Sequence, residues 1–466
     1  IIGSDNLIHF HKWFGWKKIL KMCKLVIFPR KGFDIKAKKS KIMRVFKNKN
    51  IIFIKNQKIN NLDLSLNSKN IAQILNANWF GSSNAIEISH ISIDSRSMQN
   101  GVGTLFFALV GPNNNGHNYI AELIQKGVRN FVVNTIPDNL NEKANFLVVE
   151  NTLDALQKFA GYYRNLYHFP IIGITGSNGK TIVKEWLNFL LSPDFSIIRS
   201  PKSYNSQVGV PLSIISINEN HNLGIFEAGI STTNEMSKLE QIIKPTIGIL
   251  TNLGSAHDEG FANFEQKIKE KVGLFANAEI LIYKKDKLVD AFLNSNLKTF
   301  SWSLNDSTAD VFISQKSLSD KTILEVNFSG KKFEITIPFK DDASIENAIH
   351  CLMVLLYLKY DTSVIQSRLE LLYPVEMRLK VKTGIHNCTL IDDSYSSDFQ
   401  SLKIALDFLE SQKQHANKTI ILSDIFQSGL SNDDLYSKVS ELIVSKNINR
   451  VIGIGETITD YKNKFV

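Results

Sequence analysis

The stretch that decides the fold class is Ile171-Ile-Gly-Ile-Thr-Gly-Ser-Asn-Gly-Lys-Thr181. It joins a short apolar run to a glycine-rich turn, and apolar residues at helical spacing follow the closing Lys-Thr pair. This order predicts a strand, a loop and a helix. Glycines let backbone N–H groups surround phosphate oxygens, and the N-terminus of the next helix adds a partial positive charge. The stretch therefore predicts a phosphate-binding loop.

Two side chains at the end of this loop have a predicted role. Lys180 can reach the β- and γ-phosphates of a nucleotide, and the Thr181 hydroxyl can bind Mg²⁺. The spacing differs from the common G-x-x-x-x-G-K-[ST] pattern, because five residues separate Gly173 from Gly179. A glycine-rich turn without a ligand is the alternative, and the strand–loop–helix order together with the Lys-Thr pair argues against it.

Two later apolar runs lead to residues that can complete a metal site. Glu227 closes the run that begins at Leu223, and His257 follows the run that begins at Ile247. The carboxyl ends of parallel strands are where α/β sheets bind ligands. A carboxylate in that position can hold Mg²⁺ or a metal-bound water. A carboxylate that is satisfied within the protein and an exposed histidine are the alternatives.

Predicted strands and helices alternate along most of the chain. A polar cap followed by apolar residues at helical spacing predicts that order begins with a helix near Ser68. Strands are predicted at 91–93, 104–109, 130–133, 171–175, 223–228 and 247–251, and helices at 121–126 and 264–275. Such alternation indicates an α/β protein with mostly parallel sheets flanked by helices.

The composition is that of an ordinary globular protein. The chain has 466 residues, which suggests about three or four domains of roughly 100–200 residues each. Apolar residues make up 43%, which excludes a wholly disordered or collagen-like chain. The three cysteines are far apart, so neither a disulfide framework nor a cysteine-based zinc site is expected. Without an apolar run of about 18 residues, no membrane-spanning helix is expected.

The net charge of +9 belongs to one end of the chain. Residues 1–60 carry 16 Lys and Arg against 2 Asp and Glu, whereas the rest carries 38 basic and 43 acidic residues. A uniformly basic nucleic-acid-binding surface is therefore not expected. Residues 1–67 are predicted to be a disordered basic extension without a defined role. A basic amphipathic helix on an anionic membrane or nucleic acid is the alternative.

Together these motifs resemble the Mur ligase family. Thr-Gly-Ser-Asn-Gly-Lys-Thr at 175–181 is similar to the T-G-[ST]-N-G-K-T loop of that family, which accounts for the departure from the common spacing. Glu227 and His257, the latter in Thr-Asn-Leu-Gly-Ser-Ala-His, match its metal-site residues. Lys271, four residues before Phe275, matches the lysine that becomes a carbamate, an anion that can bind a second Mg²⁺.

The resemblance extends towards both ends of the chain. Ile93-Asp-Ser-Arg96 resembles part of the domain that holds the UDP-sugar end of the substrate in the MurF branch of the family. Arg378-Leu, followed by Asp392-Asp-Ser-Tyr-Ser-Ser-Asp398, resembles the R-L and D-D-S-Y-N-A-N stretches of that branch. Ser396 and Asp398 replace two asparagines of the second stretch.

The resemblance implies a set of site residues. Asn205 lies in a segment similar to the family's N-x-x-x-G-x-P acceptor segment, and Asn347 matches its adenine-contacting asparagine. The implied catalytic residues are Lys180, Glu227, His257 and Lys271, and the implied metal ligands are Thr181, Glu227, His257 and Lys271 as its carbamate. The implied nucleotide-binding residues are Gly176, Ser177, Asn178, Gly179, Lys180, Thr181, Asn347, Arg378 and Asp393, and the implied substrate-binding residues are Ser95, Arg96, Asn205 and Tyr395.

A three-domain architecture is also implied by the resemblance. A UDP-sugar-binding domain is expected at 68–168, an ATP-binding domain with a parallel sheet of the phosphate-loop type at 169–372, and an incomplete Rossmann-like ligase domain at 373–466. The family's C-terminal domain usually continues further, so a truncated form is expected. The stretch Leu422–Gly429 resembles a fused form of the ligase, which implies an alanine racemase, fused or separate, as a partner.

The activity that the resemblance implies is ATP- and Mg²⁺-dependent amide formation in the cytoplasm. D-Alanyl-D-alanine would be joined to UDP-N-acetylmuramoyl-tripeptide through an acyl phosphate, which is a step of peptidoglycan precursor synthesis. Neither a nucleic-acid partner nor stable membrane insertion is expected. Two alternatives stay open: another amino acid ligase of the same superfamily, and a truncated remnant that binds nucleotide without turnover.

Overall fold

A computed structural model gives the fold of this chain. It describes residues 2–3, 25–28, 51–53 and 61–465, with gaps at 82–85, 97–100, 102, 112–113, 139, 141–143, 255–259, 319–320, 376–379, 385–387, 395–396, 412–414, 416, 426–427 and 429. The chain divides into two compact units, Ile1–Asn61 and Leu62–Val466.

Short parallel strands make up the described part of the first unit. They are β1 (Ile2–Gly3), β2 (Leu25–Phe28) and β3 (Ile51–Phe53), paired in that order. The sequence predicts disorder over 1–67, and the structure differs at these strands because runs such as Leu-Val-Ile-Phe have a high β-propensity. The other residues of 1–60 lie outside the described part of the chain.

In its described residues, the second unit begins with a six-stranded sheet. The strand order is β4-β6-β7-β8-β9-β5, with β6 to β9 parallel and β5 antiparallel to β9. Its elements are β4 (Asn61–Asn67), α1 (Ser68–Leu75), β5 (Asn78–Phe80), β6 (Glu87–Ser92), β7 (Thr104–Phe107), a 3₁₀ turn (Gly116–Tyr119), α2 (Ile120–Gln125), β8 (Asn130–Val133), β9 (Asn145–Val148) and α3 (Thr152–Arg164).

The sheet begins before the start that the sequence predicts. Strand β4 already belongs to it, and in this strand leucine alternates with polar residues, which is the period of a strand. Helix α1 begins at Ser68 as predicted, because Asn67 and Asn70 cap it reciprocally through their side chains and backbone N–H groups. The cap is Asn67, one residue before the stretch in which the sequence predicts it, and the alternating run before the helix was the missed signal.

Helix α3 connects the first sheet to the next one. Asn151 caps the helix by accepting the backbone N–H groups of Leu153 and Asp154. Leu156 and Phe159 of this helix are fully buried in one apolar cluster that contains residues of both sheets. The two sheets therefore share a core across α3.

A nine-stranded sheet forms the centre of the second unit in the residues that the structure describes. The strand order is β11-β12-β10-β13-β14-β15-β16-β17-β18, parallel from β11 to β16 and antiparallel beyond. Its elements are β10 (Ile171–Thr175), α4 (Lys180–Leu191), β11 (Ile197–Arg199), α5 (Gly209–Ile214), β12 (Leu223–Glu227), α6 (Glu235–Ile243), β13 (Ile247–Leu250), α7 (Phe264–Val272), a 3₁₀ turn (Gly273–Phe275), β14 (Ile280–Lys284), α8 (Lys287–Asp290), β15 (Lys298–Ser303), β16 (Val311–Ser317), β17 (Thr322–Phe328), β18 (Lys331–Ile337), α9 (Asp342–Tyr357) and α10 (Thr362–Leu369).

This strand order places the predicted phosphate loop between two other strand ends. β10 lies between β12 and β13, and all three strands are parallel. The loops that follow these strands therefore meet at one edge of the sheet, where α/β proteins bind ligands. Every residue of β10 and β12 is buried, as expected for parallel strands that helices cover on both faces. The predicted α/β class is confirmed.

The described residues after 373 form two small sheets. β19 (Lys380–Thr383) and β20 (Thr389–Asp392) make an antiparallel hairpin. The elements that follow are α11 (Phe399–Ser411), β21 (Thr419–Ser423), α12 (Asn432–Ser445), β22 (Arg450–Ile454), α13 (Glu456–Asp460) and a 3₁₀ turn (Lys462–Phe465). β21 and β22 are parallel and joined by α12, which makes a βαβ unit of the kind that builds Rossmann-like domains. Within the described ranges, no helix is long and apolar enough to cross a membrane.

Candidate active site

The loop between β10 and α4 depends on two glycines. Gly176 has φ +145° and Gly179 has φ +83°, backbone conformations that other residues rarely adopt. A Cβ atom at Gly176 would lie 2.0 Å from Thr251 Oγ1, and one at Gly179 would lie 2.2 Å from Asn347 Oδ1. The glycines therefore allow both the turn of the loop and the close approach of two neighbouring segments.

The segment after β13 holds the loop in shape. The backbone N–H of Ser177 donates to the Asn252 carbonyl at 2.8 Å, and that of Asn178 donates to Asn252 Oδ1 at 2.8 Å. Thr251 Oγ1 donates to the Asn178 carbonyl at 2.6 Å. The sequence patterns did not single out Asn252, although it follows a buried strand and lies in the stretch Thr-Asn-Leu-Gly-Ser-Ala-His that contains His257. The loop is therefore preorganised by hydrogen bonds from the neighbouring strand end.

Lys180 folds back over this loop. Its Nζ donates to the carbonyls of Gly176 and Ser177, each at 2.8 Å. Lys180 is also the first residue of α4, so its charge and the positive end of the helix dipole lie at the same place. This is the arrangement that favours binding of phosphate groups.

Thr181 and Glu227 lie in direct contact beside the loop. Thr181 Oγ1 donates to Glu227 Oε2 at 3.0 Å and lies 3.1 Å from Ser203 Oγ. Glu227, at the end of β12, is completely buried. A hydroxyl and a carboxylate are hard oxygen donors, which suit Mg²⁺, so the residues present fit the metal that the sequence predicts. Among the described residues no group of three or more His, Cys, Asp or Glu is placed to hold a metal ion.

Lys184 lies behind Glu227 and was missed from the sequence. It is fully buried, and its Nζ donates to Glu227 Oε1 at 3.0 Å. It also donates to the carbonyls of Ser200, at 2.9 Å, and Lys202. The signal was present in the helix pattern, because positions 184, 187 and 191 share one helix face and the latter two are buried leucines.

Two further lysines approach the loop from helix α7. Lys271 is 2% exposed, and its Nζ donates to the Gly176 carbonyl at 3.1 Å. Lys267, one turn earlier, is 1% exposed and donates to the Gly254 carbonyl. The structure thus places Lys271 beside the loop, where the sequence predicts a site residue, and adds Lys267, which spacing alone did not distinguish. Carbamylation of Lys271 remains a prediction.

A small cleft of about 50 Å³ opens next to the loop. Residues of the phosphate loop, of helix α9 and of the C-terminal segment line it together. They are Asn178, Gly179, Ile182, Asn252, Ala343, Ser344, Asn347, Asp393, Ser401 and Ile404. The predicted nucleotide-binding residues Asn178, Gly179, Asn347 and Asp393 therefore face one cleft, and Ser401 is a lining residue that sequence reasoning missed.

The C-terminal segment touches the phosphate loop through Ser401. Ser401 Oγ lies 3.3 Å from Asn178 Oδ1 and donates to Asp398 Oδ2 at 2.6 Å. The Asp398 Oδ1 atom accepts the backbone N–H of Ser401 at 2.9 Å, so Asp398 caps helix α11. The substitution of the family's asparagine by Asp398 is therefore accommodated as a helix cap that also orients Ser401.

A buried histidine connects helix α9 to the segment that supports the loop. Trp302 Nε1, which can only donate, lies 3.4 Å from His350 Nδ1. The other nitrogen, Nε2, therefore carries the proton and donates to the Thr251 carbonyl at 2.9 Å. Burial lowers the pKa of His350 to about 4, so the ring stays neutral at physiological pH.

Of the remaining predicted residues, the structure describes Asn205, Arg96 and Ser95 and does not describe the others. Asn205 lies next to the end of β12, because its carbonyl accepts the Gly229 N–H at 2.8 Å. Arg96, in the turn after β6, pairs with Asp94 through Nε at 2.9 Å and Nη2 at 3.1 Å, and this hydrogen bonding lowers the pKa of Asp94. Neighbouring Ser95 contacts Lys126 through its carbonyl. His257, Arg378 and Tyr395 lie outside the described residues.

Two family models match the chain. The model described as "Mur ligase middle domain" matches residues 174–355, and the one described as "Mur ligase family, catalytic domain" matches residues 87–164. Together they cover more than half of the 466 residues. The first match contains the loop, Glu227 and Lys271, which are the residues that carry the site geometry.

Named relatives agree with these matches. UDP-N-acetylmuramoyl-tripeptide–D-alanyl-D-alanine ligase of Rickettsia prowazekii is 29% identical over 382 residues, which are 80% of this chain and 84% of the relative. The protein of the same name from Borreliella burgdorferi is 28% identical over 81% of this chain and 83% of the relative.

Solved structures share the fold. MurF from Acinetobacter baumannii matches with a TM-score of 0.74 and 21% identity, over 85% of this chain and 87% of that one. MurF from Thermotoga maritima in complex with ADP matches with a TM-score of 0.66 and 19% identity, over 80% of this chain and 95% of that one. The phosphate-loop geometry, the family models and these relatives lead to one assignment: the chain belongs to the Mur ligase family.

Proposed function

We propose that this chain is an ATP-dependent ligase that joins D-alanyl-D-alanine to UDP-N-acetylmuramoyl-tripeptide and forms ADP and phosphate, with Mg²⁺ as cofactor. The observation that carries the proposal is the 3.0 Å contact between the Thr181 hydroxyl and the buried Glu227 carboxylate beside a glycine loop. The relatives named for this reaction support the choice of substrates, because the similarity extends over 84% of the Rickettsia protein.

The chemistry proceeds in two steps. A carboxylate oxygen of the tripeptide attacks the γ-phosphorus of ATP, so an acyl phosphate forms and the bond to ADP breaks. The amine of D-alanyl-D-alanine then attacks the acyl carbon, and inorganic phosphate leaves as the amide forms and the amine loses a proton. Mg²⁺ supplies charge neutralisation on the phosphates. The protein mainly positions the reactants and stabilises developing charge.

Each part of the site has a proposed share in this chemistry. Lys180 holds the phosphates together with those backbone N–H groups of the loop that do not donate to Asn252, and Thr181 with Glu227 holds the metal. The proposal keeps Lys271 as a carbamate ligand and His257 as a metal ligand. Asn347, Asp393 and Arg378 are assigned to the nucleotide, Asn205 and Tyr395 to the acceptor side, and Ser95 and Arg96 to the UDP-sugar end.

The three predicted domains fit this division of labour. We assign 68–168 to the UDP-sugar end, 169–372 to ATP and 373–466 to closure over the nucleotide. ATP and UDP-linked precursors are cytoplasmic metabolites, and the proposal therefore places the reaction in the cytoplasm. A partnership with an alanine racemase would supply D-alanine for the dipeptide.

Phosphate release tests the proposal directly. The chain is supplied with Mg·ATP and UDP-N-acetylmuramoyl-tripeptide, with and without D-alanyl-D-alanine. We expect release that depends on the dipeptide, and single amino acids should not replace it. Nucleotide binding without dipeptide-stimulated release would contradict the proposal and favour a non-catalytic remnant, whereas turnover with a single amino acid would favour another ligase of the superfamily.

Lys180→Ala is the matched test of the loop. The ammonium lies on the loop carbonyls at 2.8 Å, and its loss should remove the charge that neutralises the transferred phosphate. We expect phosphate release to fall by about 100-fold or more. Lys238→Met, which breaks an exposed ion pair with Asp154, should leave release unchanged. Normal dipeptide-dependent release in Lys180→Ala would reject the loop assignment.

A further inference from the structure

The ion pair between Lys184 and Glu227 is completely buried, and no step of the proposed reaction uses its lysine. Both side chains have no solvent exposure, and Nζ lies 3.0 Å from Oε1. An ammonium has three N–H donors. The Glu227 carboxylate and the carbonyls of Ser200 and Lys202 provide three acceptors. Lys184 is therefore committed to the protein and is not placed as a phosphate-binding lysine.

The two oxygens of the Glu227 carboxylate have different hydrogen-bond partners. Lys184 occupies Oε1, and the Thr181 hydroxyl donates to Oε2 at 3.0 Å. Only Oε2, the oxygen that faces Thr181, points to the end of the phosphate loop. Because Thr181 uses its proton on Glu227, the Ser203 hydroxyl at 3.1 Å donates to Thr181 Oγ1, and one lone pair of that oxygen remains available to a cation.

The charges around Glu227 balance without a metal. Lys184 also lies 3.2 Å from Glu185, but that carboxylate pairs with Arg199 at 3.0 Å nearer the surface. Lys184 thus compensates the charge of Glu227, and Arg199 compensates that of Glu185. A buried carboxylate that is already paired gains little from a second cation, whereas a buried carboxylate without a partner is strongly destabilising.

We propose that Lys184 is a positioning residue that compensates the charge of Glu227 and leaves only its Oε2 atom facing the phosphate loop. The site then binds a divalent cation together with the nucleotide and not before it. The inference rests on the proposed function, since it concerns the same nucleotide site. The phosphate oxygens then supply the negative charge that the compensated protein lacks. The segment Ser200–Ser203 supports this arrangement, because it provides two carbonyls to Lys184 and the Ser203 hydroxyl next to Thr181.

The proposal predicts a gain of metal binding when the lysine is removed. In Lys184→Met, Glu227 is a buried carboxylate without a cation, and added Mg²⁺ can take the place of the ammonium. At a mildly alkaline pH and without nucleotide, about 10 mM Mg²⁺ should raise the unfolding temperature of Lys184→Met by about 2 °C or more. The wild type and the surface control Lys238→Met should not respond to Mg²⁺ in this way.

The double variant Lys184→Met/Glu227→Gln identifies the group responsible. It has neither charge, so it should be more stable than Lys184→Met and should not respond to Mg²⁺. Equal Mg²⁺ responses in the single and double variants, or no response in Lys184→Met, would overturn the proposal and leave a structural ion pair. Should Lys184→Met not fold, Lys184→Gln retains N–H donors for the two carbonyls and tests the same charge.

Equilibrium binding of ATP separates this inference from the proposed function. In the wild type, ATP should bind more tightly with Mg²⁺ than with EDTA, whereas in Lys184→Met that ratio should fall by about tenfold, because the metal site no longer depends on the nucleotide. An unchanged ratio would count against the inference. A wild type that binds ATP but releases no phosphate with the dipeptide would overturn the proposed substrates, while the metal-only unfolding measurements would still decide the role of Lys184.

Discussion

Three lysines near the phosphate loop are almost fully buried in the described part of the chain: Lys184, Lys267 and Lys271. Lysine is rarely buried, because removing its charge from water is costly unless hydrogen bonds or ion pairs compensate. Each of these ammonium groups donates to a backbone carbonyl. Three such groups around one loop break a rule that holds for ordinary core positions, as residues of active sites commonly do.

Lys271 gives the sharpest test among single residues. Its amine lies 3.1 Å from the Gly176 carbonyl, inside the site, so carbamylation would put an anion beside the loop. We expect Lys271→Ala to lower turnover by about 100-fold, and short carboxylates such as acetate to restore part of it by supplying the missing anion. Phosphate release measured against acetate concentration checks this prediction.

The control for this prediction lies on the same helix. Lys269 is exposed, and Lys269→Ala should keep wild-type turnover and show no response to acetate. The carbamate role is wrong if Lys271→Ala turns over normally, or if acetate affects both variants alike.

At the scale of elements, the sequence predicts strands and helices well wherever a single pattern decides them. The strand Ile171–Thr175 and the helix that begins at Lys180 appear as predicted, because glycine spacing and apolar periodicity agree there. The helix predicted at 264–275 ends at Val272 and continues as a 3₁₀ turn, since Gly273 has a low helix propensity. Element ends depend on such local competition, which periodicity does not capture.

The start of helix α4 provides a test at this scale. Gly179 precedes the helix with φ +83°, and an added Cβ would lie 2.2 Å from Asn347 Oδ1. Gly179→Ala should therefore strain the turn by about 1–2 kcal/mol and displace Asn347 from the cleft. We expect a lower unfolding temperature and at least tenfold weaker ATP binding, measured by calorimetry.

Gly273→Ala is the matched control for that change. Gly273 has no heavy atom within 4 Å of an added Cβ and lies at φ −54°, so alanine should be neutral or stabilise by about 0.4–1 kcal/mol. If both alanine variants bound ATP like the wild type, the proposed need for glycine in the loop would be wrong.

Across the whole molecule, the sequence predicts which segments supply the site but not how they touch. The order of motifs places Glu227, Asn347 and Asp393 in one nucleotide site, and the structure brings the latter two into one cleft with the loop. The contact between Ser401 and Asn178 spans 223 positions of the chain. No local pattern encodes such a pairing, because it depends on how the C-terminal segment packs against the central sheet.

This contact yields a prediction about closure over the nucleotide. Ser401 is 6% exposed and lies 3.3 Å from the Asn178 side chain, so it links the C-terminal segment to the phosphate loop. The single hydroxyl proton of Ser401 is donated to Asp398 at 2.6 Å, so its contact with Asn178 is mainly a packing contact, and Ser401→Ala should raise the KM for ATP by only about twofold with kcat nearly unchanged. Steady-state phosphate release over a range of ATP concentrations measures both parameters.

Ser397→Ala separates this contact from a general effect on the C-terminal segment. The Ser397 hydroxyl donates to the Asp424 carbonyl at 2.7 Å, which keeps its hydrogen bond within that segment. Its loss should lower the stability of the segment slightly and leave the KM for ATP at the wild-type value. Equal KM values in the two variants would show that Ser401 acts through the stability of the segment. The proposal that its contact with the loop contributes to closure over the nucleotide would then be wrong.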